Sequence, residues 1–373
     1  MTSVLHLIDD DCNETCMQAL ETLRARTAAE TIAHVIATID ARAGRLARGF
    51  IQVPVHPTLR YAPSRFVNFS PALAELSRDS RTEIIHAWGI QAAVVASATR
   101  PEVPLLLSLI DPSPTAEVAR WIRSFPVGVN VAAGSQLIAN RLMAAGISPD
   151  RVAVIRGAAD FAAINAARRT DLRSRLVGDA QPVVLLSGPA SREGGQEVGI
   201  WAAAIVKYLH RGLRVLMPYS SREADRLQRW STTLPHPGMV IVPDRRMNWA
   251  ELVACSDVFL QPARDEVCVE PLAVAMAGGL PIVATAVRSI AEMIADRQNG
   301  FLVRKAEPKL VAARLLTALE DLQTARQVAE TARGQAFEVF GVRAFADNYR
   351  RVYENLSAQR PISDGVRDTA MVA

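Results

Sequence analysis

The segment from Val258 to Val303 constrains the fold more than any other part of the chain. Its short apolar runs are separated by helical stretches, in the order strand, loop, helix, strand, helix, strand. Gly278 and Gly279 end the first helical stretch, and Pro281 introduces the next apolar run. Apolar strands that alternate with helices are typical of parallel sheets covered on both faces. The segment therefore predicts part of a parallel α/β sheet.

The same alternation runs through the rest of the chain in two series. Strand-like runs of the first series lie at Val4–Ile8, His34–Ile39, Ile84–Ala87, Leu105–Ile110, Val127–Ala132 and Val152–Ile155. Those of the second series lie at Val183–Ser187, Val215–Pro218, Met239–Val242, Val258–Gln261, Ile282–Thr285 and Phe301–Val303. Helical patterns in the first series are Asn13–Arg26, Ser70–Arg78, Thr115–Phe125 and Ser135–Ala145. Since the chain has 373 residues and one core rarely exceeds about 250–300, we predict two Rossmann-like, doubly wound domains.

The domain limits follow from a change in composition. An arginine-rich helical segment ends near residue 178, so we predict a first domain at 1–178 and a second at 179–340. The stretch 341–358 has apolar residues at helical spacing, and 359–373 reads as a flexible tail.

Composition narrows the class of protein. Half of the residues are hydrophobic and 21% are charged, which predicts a folded protein. The net charge of +4 is compatible with phosphate-bearing substrates or an anionic membrane surface, and it also lies within the ordinary range. The four cysteines form no CxxC pair, so neither disulfides nor a zinc site is expected. Because the N-terminus lacks the features of a signal peptide, we expect a cytoplasmic protein. A Rossmann oxidoreductase is disfavoured, since no GxGxxG follows a predicted strand.

Several motifs resemble those of family 4 retaining glycosyltransferases, the glycosyl transferases group 1 type with the GT-B fold. Ala275–Thr285 resembles the family's AMA-x-G-x-P-V-V-A-T element, and Glu292–Val303 resembles E-x-I-x-D-x-x-N-G-x-L-V. Ile84–Gly89 is similar to D-V-V-H-A-H-G, and Val154–Asp160 to v-i-p-N-G-v-D. The resemblance implies two Rossmann-like domains facing a central cleft, with the helix at 341–358 packed back on the first. It also implies a retaining hexosyltransferase that moves a sugar from a nucleotide-sugar donor to an acceptor hydroxyl.

The resemblance also implies a donor site. Glu266 takes the place of the glutamate that contacts the donor sugar, as one of two catalytic candidates. Gly188 and Arg192 lie in the loop after the first strand of the second domain, and Arg288 follows a later strand. Arg192 or Arg288 would stand in for the family's basic residues beside the phosphates. In the alternative interpretation of Arg288, its bulk fills the cleft. Backbone amides at the start of a helix would receive the phosphates, at Val267, Cys268 and Val269.

His86 is the second catalytic candidate, and it would line the acceptor side together with Asp111. Both residues lie where predicted strands end, at the ligand-facing edge of an open α/β sheet. The family needs no metal, so no cofactor is expected. The expected partners are the donor and a glycan, lipid-linked or small-molecule acceptor, without nucleic acid, and the basic excess leaves peripheral membrane contact open.

The chain departs from the family pattern at the donor site. Pro189 and Gly194 stand where the family has an arginine and a lysine, and Val274 stands where a second glutamate holds the ribose. These changes favour an alternative, a catalytically degenerate GT-B protein that binds a sugar, nucleotide or protein partner without turnover.

Each candidate also has a structural interpretation. Arg192 would be an exposed arginine paired with Glu193, Glu266 a solvated loop acid, and His86 a core histidine. Asp9, Asp10 and Asp11 would cap the helix that follows them.

Overall fold

The computed structural model describes residues 2–9, 14–27, 32–39, 51–53, 70–110, 118–119, 128–179, 181–218, 222–244, 246–362 and 364–366. They form two compact units. The first contains Met1–Arg156 together with Val342–Asp368, and the second contains Gly157–Gly341.

The first unit is built on a seven-stranded sheet in which all pairings are parallel. Its strands are β1 (Thr2–Ile8), β2 (Ile32–Thr38), β3 (Ile51–Gln52), β4 (Ile84–Trp88), β5 (Leu105–Leu109), β6 (Asn130–Ala133) and β7 (Val152–Val154). They lie in the order β3-β2-β1-β4-β5-β6-β7. The helices between them are α1 (Glu14–Thr27), α2 (Pro71–Asp79), α3 (Ile90–Thr99) and α4 (Gln136–Ala144), with a 3-10 turn at Pro149–Arg151. As predicted, Ser70 caps α2, because its hydroxyl accepts the Leu73 N–H at 3.3 Å.

The second unit is built on a six-stranded parallel sheet. Its strands are β8 (Val183–Leu186), β9 (Arg214–Leu216), β10 (Val240–Ile241), β11 (Val258–Gln261), β12 (Ile282–Thr285) and β13 (Phe301–Val303). They lie in the order β10-β9-β8-β11-β12-β13, so the direction of strand order reverses between β8 and β11. The first helices are α5 (Phe161–Ala167), α6 (Leu172–Val177), α7 (Gln196–Lys207), α8 (Arg222–Ser231) and α9 (Trp249–Ala254). The remaining ones are α10 (Glu270–Ala277), α11 (Arg288–Ala291), α12 (Pro308–Glu320) and α13 (Leu322–Val339).

Apolar residues cover both faces of the second sheet. Val183 and Leu185 of β8 pack into one core cluster, whereas Val184 and Leu186 pack into the other, as successive strand residues must. Every residue of α10 is buried, which explains why its sequence is apolar without a polar face. The prediction of two doubly wound parallel sheets is therefore confirmed. Each predicted strand corresponds to an observed one, and β3 is additional.

The division between the units lies at residue 157, not at the predicted 179. Helices α5 and α6 precede β8, and their arginine-rich sequence resembles a connector. Nevertheless α5 packs against α9 of the second unit, and Arg173 of α6 donates to Asp257 at 2.7 Å. These contacts make both helices part of the second unit. The predicted helix Thr115–Phe125 lies outside the described residues except for residues 118–119.

The last helix, α14 (Val342–Ser357), belongs to the first unit, where it packs against α1 and β4. The chain after it is not the flexible tail predicted from its polar sequence. Ile362 is fully buried, its N–H donates to the Asp150 carbonyl at 3.0 Å, and Asn355 donates to the Asp364 carbonyl at 3.0 Å. The tail prediction also covers residues 367–373, which lie outside the described residues. Within the described part of the chain, no helix combines the length and apolarity needed to cross a membrane.

Burial of Ile362 predicts that this residue stabilises the first unit. Ile362→Ala should lower the free energy of unfolding by about 2–4 kcal/mol, because a buried isoleucine leaves a cavity. Urea unfolding followed by circular dichroism measures the change. Ile51→Ala is the matched control, since Ile51 is 46% exposed in the same unit, and it should change stability by about 1 kcal/mol or less. Equal effects of the two variants would show that the segment after α14 does not contribute to the core.

Candidate functional site

The donor-side candidates of the second unit meet at one edge of its sheet. Gly188 and Arg192 lie in the loop after β8, residues 187–195, which we name the β8 loop. Glu266 and Val267–Val269 lie in the loop after β11, residues 262–269, named the β11 loop. Arg288 follows β12 and begins α11. Because β8, β11 and β12 are neighbours and parallel, their carboxyl ends share an edge, and the reversal between β8 and β11 is where such sheets bind ligands.

The β8 and β11 loops are fastened to each other through backbone groups. The Glu193 carbonyl accepts the N–H of Arg264 at 2.7 Å and that of Asp265 at 3.3 Å. Gly195 has φ +67°, and a Cβ built on it would lie 1.9 Å from the Pro262 carbonyl oxygen. Only glycine fits there. The two loops therefore form one fixed surface at the edge of the sheet.

The positions at which the family has a basic pair are packed against each other. A Cβ on Gly194 would lie 2.0 Å from the Pro189 carbonyl oxygen, so a lysine side chain has no room in this conformation. Gly188 has φ +105°, and its carbonyl accepts the Gln196 amide at 2.6 Å. Arg192 is exposed. A hydrogen bond from Ser191, one from the backbone of Glu193 itself, and the charge of Arg192 lower the pKa of Glu193.

Glu266 is held in place and is not a freely solvated loop acid. One of its carboxylate oxygens accepts the Ser289 N–H at 2.8 Å, in the first turn of α11. A carboxylate at this position is favoured by the exposed N–H groups of the helix start. The side chain is half-buried, while Arg288 beside it is exposed. Glu266 and Arg288 thus both lie at the N-terminal end of α11.

The start of α10 contains a buried carboxylate. Glu270 is 7% exposed, and the Cys268 thiol donates to it at 2.6 Å. A Cβ on Gly157 would lie 2.3 Å from Glu270 Cγ, so glycine at 157 leaves the space that this side chain fills. One turn further along the helix, Val274 packs in the apolar core. The predicted phosphate-binding amides of Val267–Val269 therefore lie beside a buried acid.

Three buried polar atoms at this edge have no hydrogen-bond partner among the described residues. They are Ser187 Oγ after β8, Gln196 Oε1 at the start of α7, and Gln261 Oε1 at the end of β11. A buried polar atom without a partner costs roughly 1–3 kcal/mol. Such atoms are uncommon unless a ligand or an ordered water completes them. Sequence reasoning missed all three, although a glutamine at the end of an apolar strand is a signal that could have been noticed.

A family comparison assigns this region. Residues 168–335 match the family model described as glycosyl transferases group 1. That match makes this part of the chain similar to the group 1 glycosyl transferases. The N-acetyl-alpha-D-glucosaminyl L-malate synthase of Bacillus anthracis is 31% identical to the chain over 114 residues. That stretch covers 31% of this chain and 30% of the relative, so the chain aligns with less than a third of the relative's length.

Solved structures with the same architecture cover almost the whole chain. Anabaena HepE superimposes with a TM-score of 0.78 at 19% identity, over 95% of this chain and 100% of HepE. A glycosyltransferase of Rickettsia africae gives a TM-score of 0.76 at 14% identity, over 95% of this chain and 98% of that one. These likenesses confirm the predicted GT-B fold with its two parallel-sheet α/β domains. At such identities the likeness shows the fold alone and does not show the reaction.

His86, in the first unit, is not at the end of a strand as the sequence predicted. The strand β4 continues to Trp88, so His86 lies within the strand and its side chain faces α14. It is fully buried, with Nδ1 at 2.7 Å from the Tyr353 hydroxyl and Nε2 at 2.7 Å from Ser108 Oγ. With both ring nitrogens hydrogen-bonded inside the core, His86 has the contacts of a core histidine, and its catalytic role stays a prediction.

Two further histidines extend this buried network in the first unit. The Trp88 indole N–H donates to His6 Nδ1 at 3.1 Å, so neutral His6 carries its proton on Nε2. That proton is donated to His34 Nδ1 at 2.8 Å, and His34 Nε2 lies 2.7 Å from the Thr27 hydroxyl. The Thr27 hydroxyl in turn donates to the Leu23 carbonyl at 2.6 Å. Burial lowers the pKa of His6 and His86, and it lowers the pKa of His34 to about 4.

Asp9, the first of the aspartates after β1, contacts a helix far from it in sequence. It is buried, and its carboxylate accepts the Ala92 N–H at 2.8 Å. It therefore caps α3. Gly89, with φ +133°, gives the carboxylate its space. Asp10, Asp11 and the acceptor-side candidate Asp111 lie outside the described residues.

Among the residues that the structure describes, Cys16, Cys255 and Cys268 are not joined in disulfides. In the same part of the chain no three acidic, histidine or cysteine side chains are grouped to hold a metal ion.

The histidine network predicts that the first unit loses stability in acid. The pKa values of its three histidines are lowered in the folded state. The unfolded chain therefore binds more protons below about pH 6.5, and the free energy of unfolding falls as the pH decreases. We expect the urea midpoint of the wild-type chain to fall between pH 7.5 and 5.0. His34→Gln should reduce that fall by about one proton's share. His210→Gln, in the second unit, is the control for replacing a histidine outside this network. An unchanged pH dependence in His34→Gln would contradict the assignment of neutral imidazoles.

Proposed function

We propose that the chain is a retaining hexosyltransferase, which moves a sugar from a nucleoside diphosphate donor to an acceptor hydroxyl. One observation carries the proposal: Glu266 lies in the loop after β11, at the reversal of strand order, with its carboxylate oriented by the Ser289 amide. A fixed carboxylate at a ligand-binding edge is suited to accept hydrogen bonds from sugar hydroxyls. Retention and the hexose rest on the family resemblance.

The leaving diphosphate needs positive charge, and the same edge of the sheet offers it in two forms. Backbone N–H groups at the start of α10 belong to Val267–Val269 and the residues after them, and a helix start favours anions. Exposed Arg192 and Arg288 supply mobile cations from the β8 loop and from α11. In the reaction, the oxygen of the acceptor hydroxyl would bond to the anomeric carbon while the bond from that carbon to the diphosphate oxygen breaks. The hydroxyl proton would pass to the departing diphosphate. Stabilising the departing oxygen is then the main catalytic task.

The choice of donor takes support from related structures. HepE was solved in complex with UDP and glucose, and also with UDP-glucose. We therefore take uridine diphosphate sugars as the first donors to test, with guanosine and adenosine diphosphate sugars beside them. Glycans, lipid-linked sugars and small hydroxylated molecules are the acceptor classes to pool.

A second candidate function is binding without turnover. Specific observations favour it: Gly194 and Pro189 pack so closely that a basic side chain at 194 is excluded, and Val274 is part of the apolar core. Loss of fixed charges at a leaving group can cost several kcal/mol of barrier. Under this alternative the site binds a nucleotide or sugar through the same backbone amides but does not release the diphosphate.

Calorimetric titration with uridine, guanosine and adenosine diphosphates and their sugar conjugates, followed by turnover assays with pooled acceptors, tests the proposal. Transferase activity requires both binding and turnover. Binding with no turnover of any donor would favour the second candidate, and no binding at millimolar concentration would reject both.

A variant at Glu266 tests the role of this residue directly. Glu266→Gln keeps an oxygen that can accept the Ser289 N–H, so the loop should stay in place while the negative charge is lost. We expect kcat/KM for the donor to fall on the order of 10- to 100-fold, the value of one or two charge-assisted hydrogen bonds. Glu338→Gln on the exposed face of α13 is the matched control and should stay within about twofold of wild type. Equal activity of both variants would remove Glu266 from the site.

A further inference from the structure

A stripe of large apolar side chains is exposed along α7 and the turn after it. Trp201 is 40% exposed, Ile205 38%, Tyr208 64% and Leu209 67%. Their spacing of three and four residues places them on one side of the helix. We name these four residues the α7 stripe. A continuous apolar surface of this kind, rimmed by polar residues, marks an interaction site more often than isolated exposed side chains do.

The end of the α7 stripe is presented by a rigid turn. Lys207 is buried, and its ammonium group donates to the carbonyls of Arg211 at 2.8 Å and Leu213 at 2.6 Å. The His210 N–H donates to the Val206 carbonyl at 3.0 Å. Burial and the charge of Arg214 lower the pKa of Lys207. A buried lysine thus closes the end of α7 and holds the chain that carries Tyr208 and Leu209 outward.

Neighbouring aromatic residues widen the stripe into a ridge. The Trp201 ring contacts Trp230 of α8 edge-on, with ring centroids 5.8 Å apart. The Tyr208 ring contacts His236 in the same way at 4.7 Å. The opposite face of α7 is occupied, since Val198, Ala202 and Val206 belong to the core of the second unit.

Arginines flank the ridge. Arg226 lies one turn before Trp230 and therefore on the same side of α8, and Arg229 and Arg211 are also exposed. Three acidic residues are also found in this region. Asp225 lies five residues before Trp230 and faces away from it, Glu197 lies at the far end of α7, and Glu320 is 3.8 Å from His210. The ridge therefore combines aromatic and aliphatic surface with arginines nearby.

We propose that the α7 stripe docks the protein on a membrane surface that contains anionic phospholipids. Trp and Tyr rings prefer the interface between water and hydrocarbon, and a helix with one apolar side lies in that plane. Arginine forks match lipid phosphates at the same depth. The surface is a convex ridge, which a deformable lipid interface can accept without a preformed groove. This inference goes beyond the proposed transfer reaction and does not depend on it.

Vesicle flotation with the full chain tests the docking surface. The probes are phosphatidylcholine vesicles with about 30% phosphatidylglycerol, and vesicles of phosphatidylcholine alone. Wild-type protein should float with the anionic vesicles and much less with the neutral ones, and high salt should release it. Tyr208→Ser/Leu209→Ser should reduce the bound fraction on the order of tenfold, because two anchors leave the interface. Arg226→Gln/Arg229→Gln should reduce it several-fold and weaken the salt dependence.

The matched control removes two exposed apolar side chains elsewhere in the second unit. Leu322 is 56% exposed and Phe337 is 70% exposed, both on α13, and Leu322→Ser/Phe337→Ser should float like wild type. The proposal is overturned if wild type stays unbound, if neutral vesicles bind it equally, or if Leu322→Ser/Phe337→Ser loses as much binding as Tyr208→Ser/Leu209→Ser. Sedimentation without vesicles tests whether a second copy of the chain binds this surface instead. If Tyr208→Ser/Leu209→Ser turns a dimer into a monomer, the α7 stripe joins two copies of the chain and the membrane assignment is wrong.

Discussion

Parallel pairing of β8 with β11 is the constraint on which the candidate site depends. The two strands are hydrogen-bonded neighbours although a long stretch of chain separates them, and the last rung joins the Ser187 N–H to the Leu260 carbonyl at 2.8 Å. Beyond that rung the chain leaves the sheet in two directions, towards α7 on one face and α10 on the other. A crevice must open between diverging loops at such a point. The Glu193 carbonyl and Gly195 then fix how far the loops separate.

The strands could be predicted because both faces of each sheet are covered. A strand buried on both sides must be apolar throughout, and such short runs are visible in a single sequence. The limits of the two units were harder to predict from the sequence. Arg168 and Arg173 made the segment before β8 look like a solvated connector, yet these side chains bond to the Gly278 and Cys255 carbonyls of the second unit. The sequence pattern shows that a residue is charged, but it does not show which distant residue that side chain bonds to.

The same limit separates the two catalytic candidates. Glu266 could be placed from a local motif, since the strand before it and the helix after it determine which edge of the sheet it occupies. His86 could not, because its role depends on Tyr349 and Tyr353 of the last helix, which join β4 only when the first unit is complete. Glu270 is a third case. Its burial requires the absence of a side chain at Gly157, and no pattern within α10 carries that information.

Affinity for a nucleotide and release of a diphosphate make different physical demands on this site. Backbone N–H groups at the start of α10 can hold an anion at equilibrium, and they are fixed by the helix itself. Departure of the diphosphate adds negative charge, and its rate depends on cations already in place. Here the carboxylate of Glu270 lies at the same helix start, and two cations of this edge, Arg192 and Arg288, are exposed and therefore screened by water and salt. The arrangement favours binding more strongly than it favours turnover. Catalysis on this scaffold accordingly requires that bound donor draw at least one of these arginines into contact with the phosphates, where exclusion of water strengthens the charge.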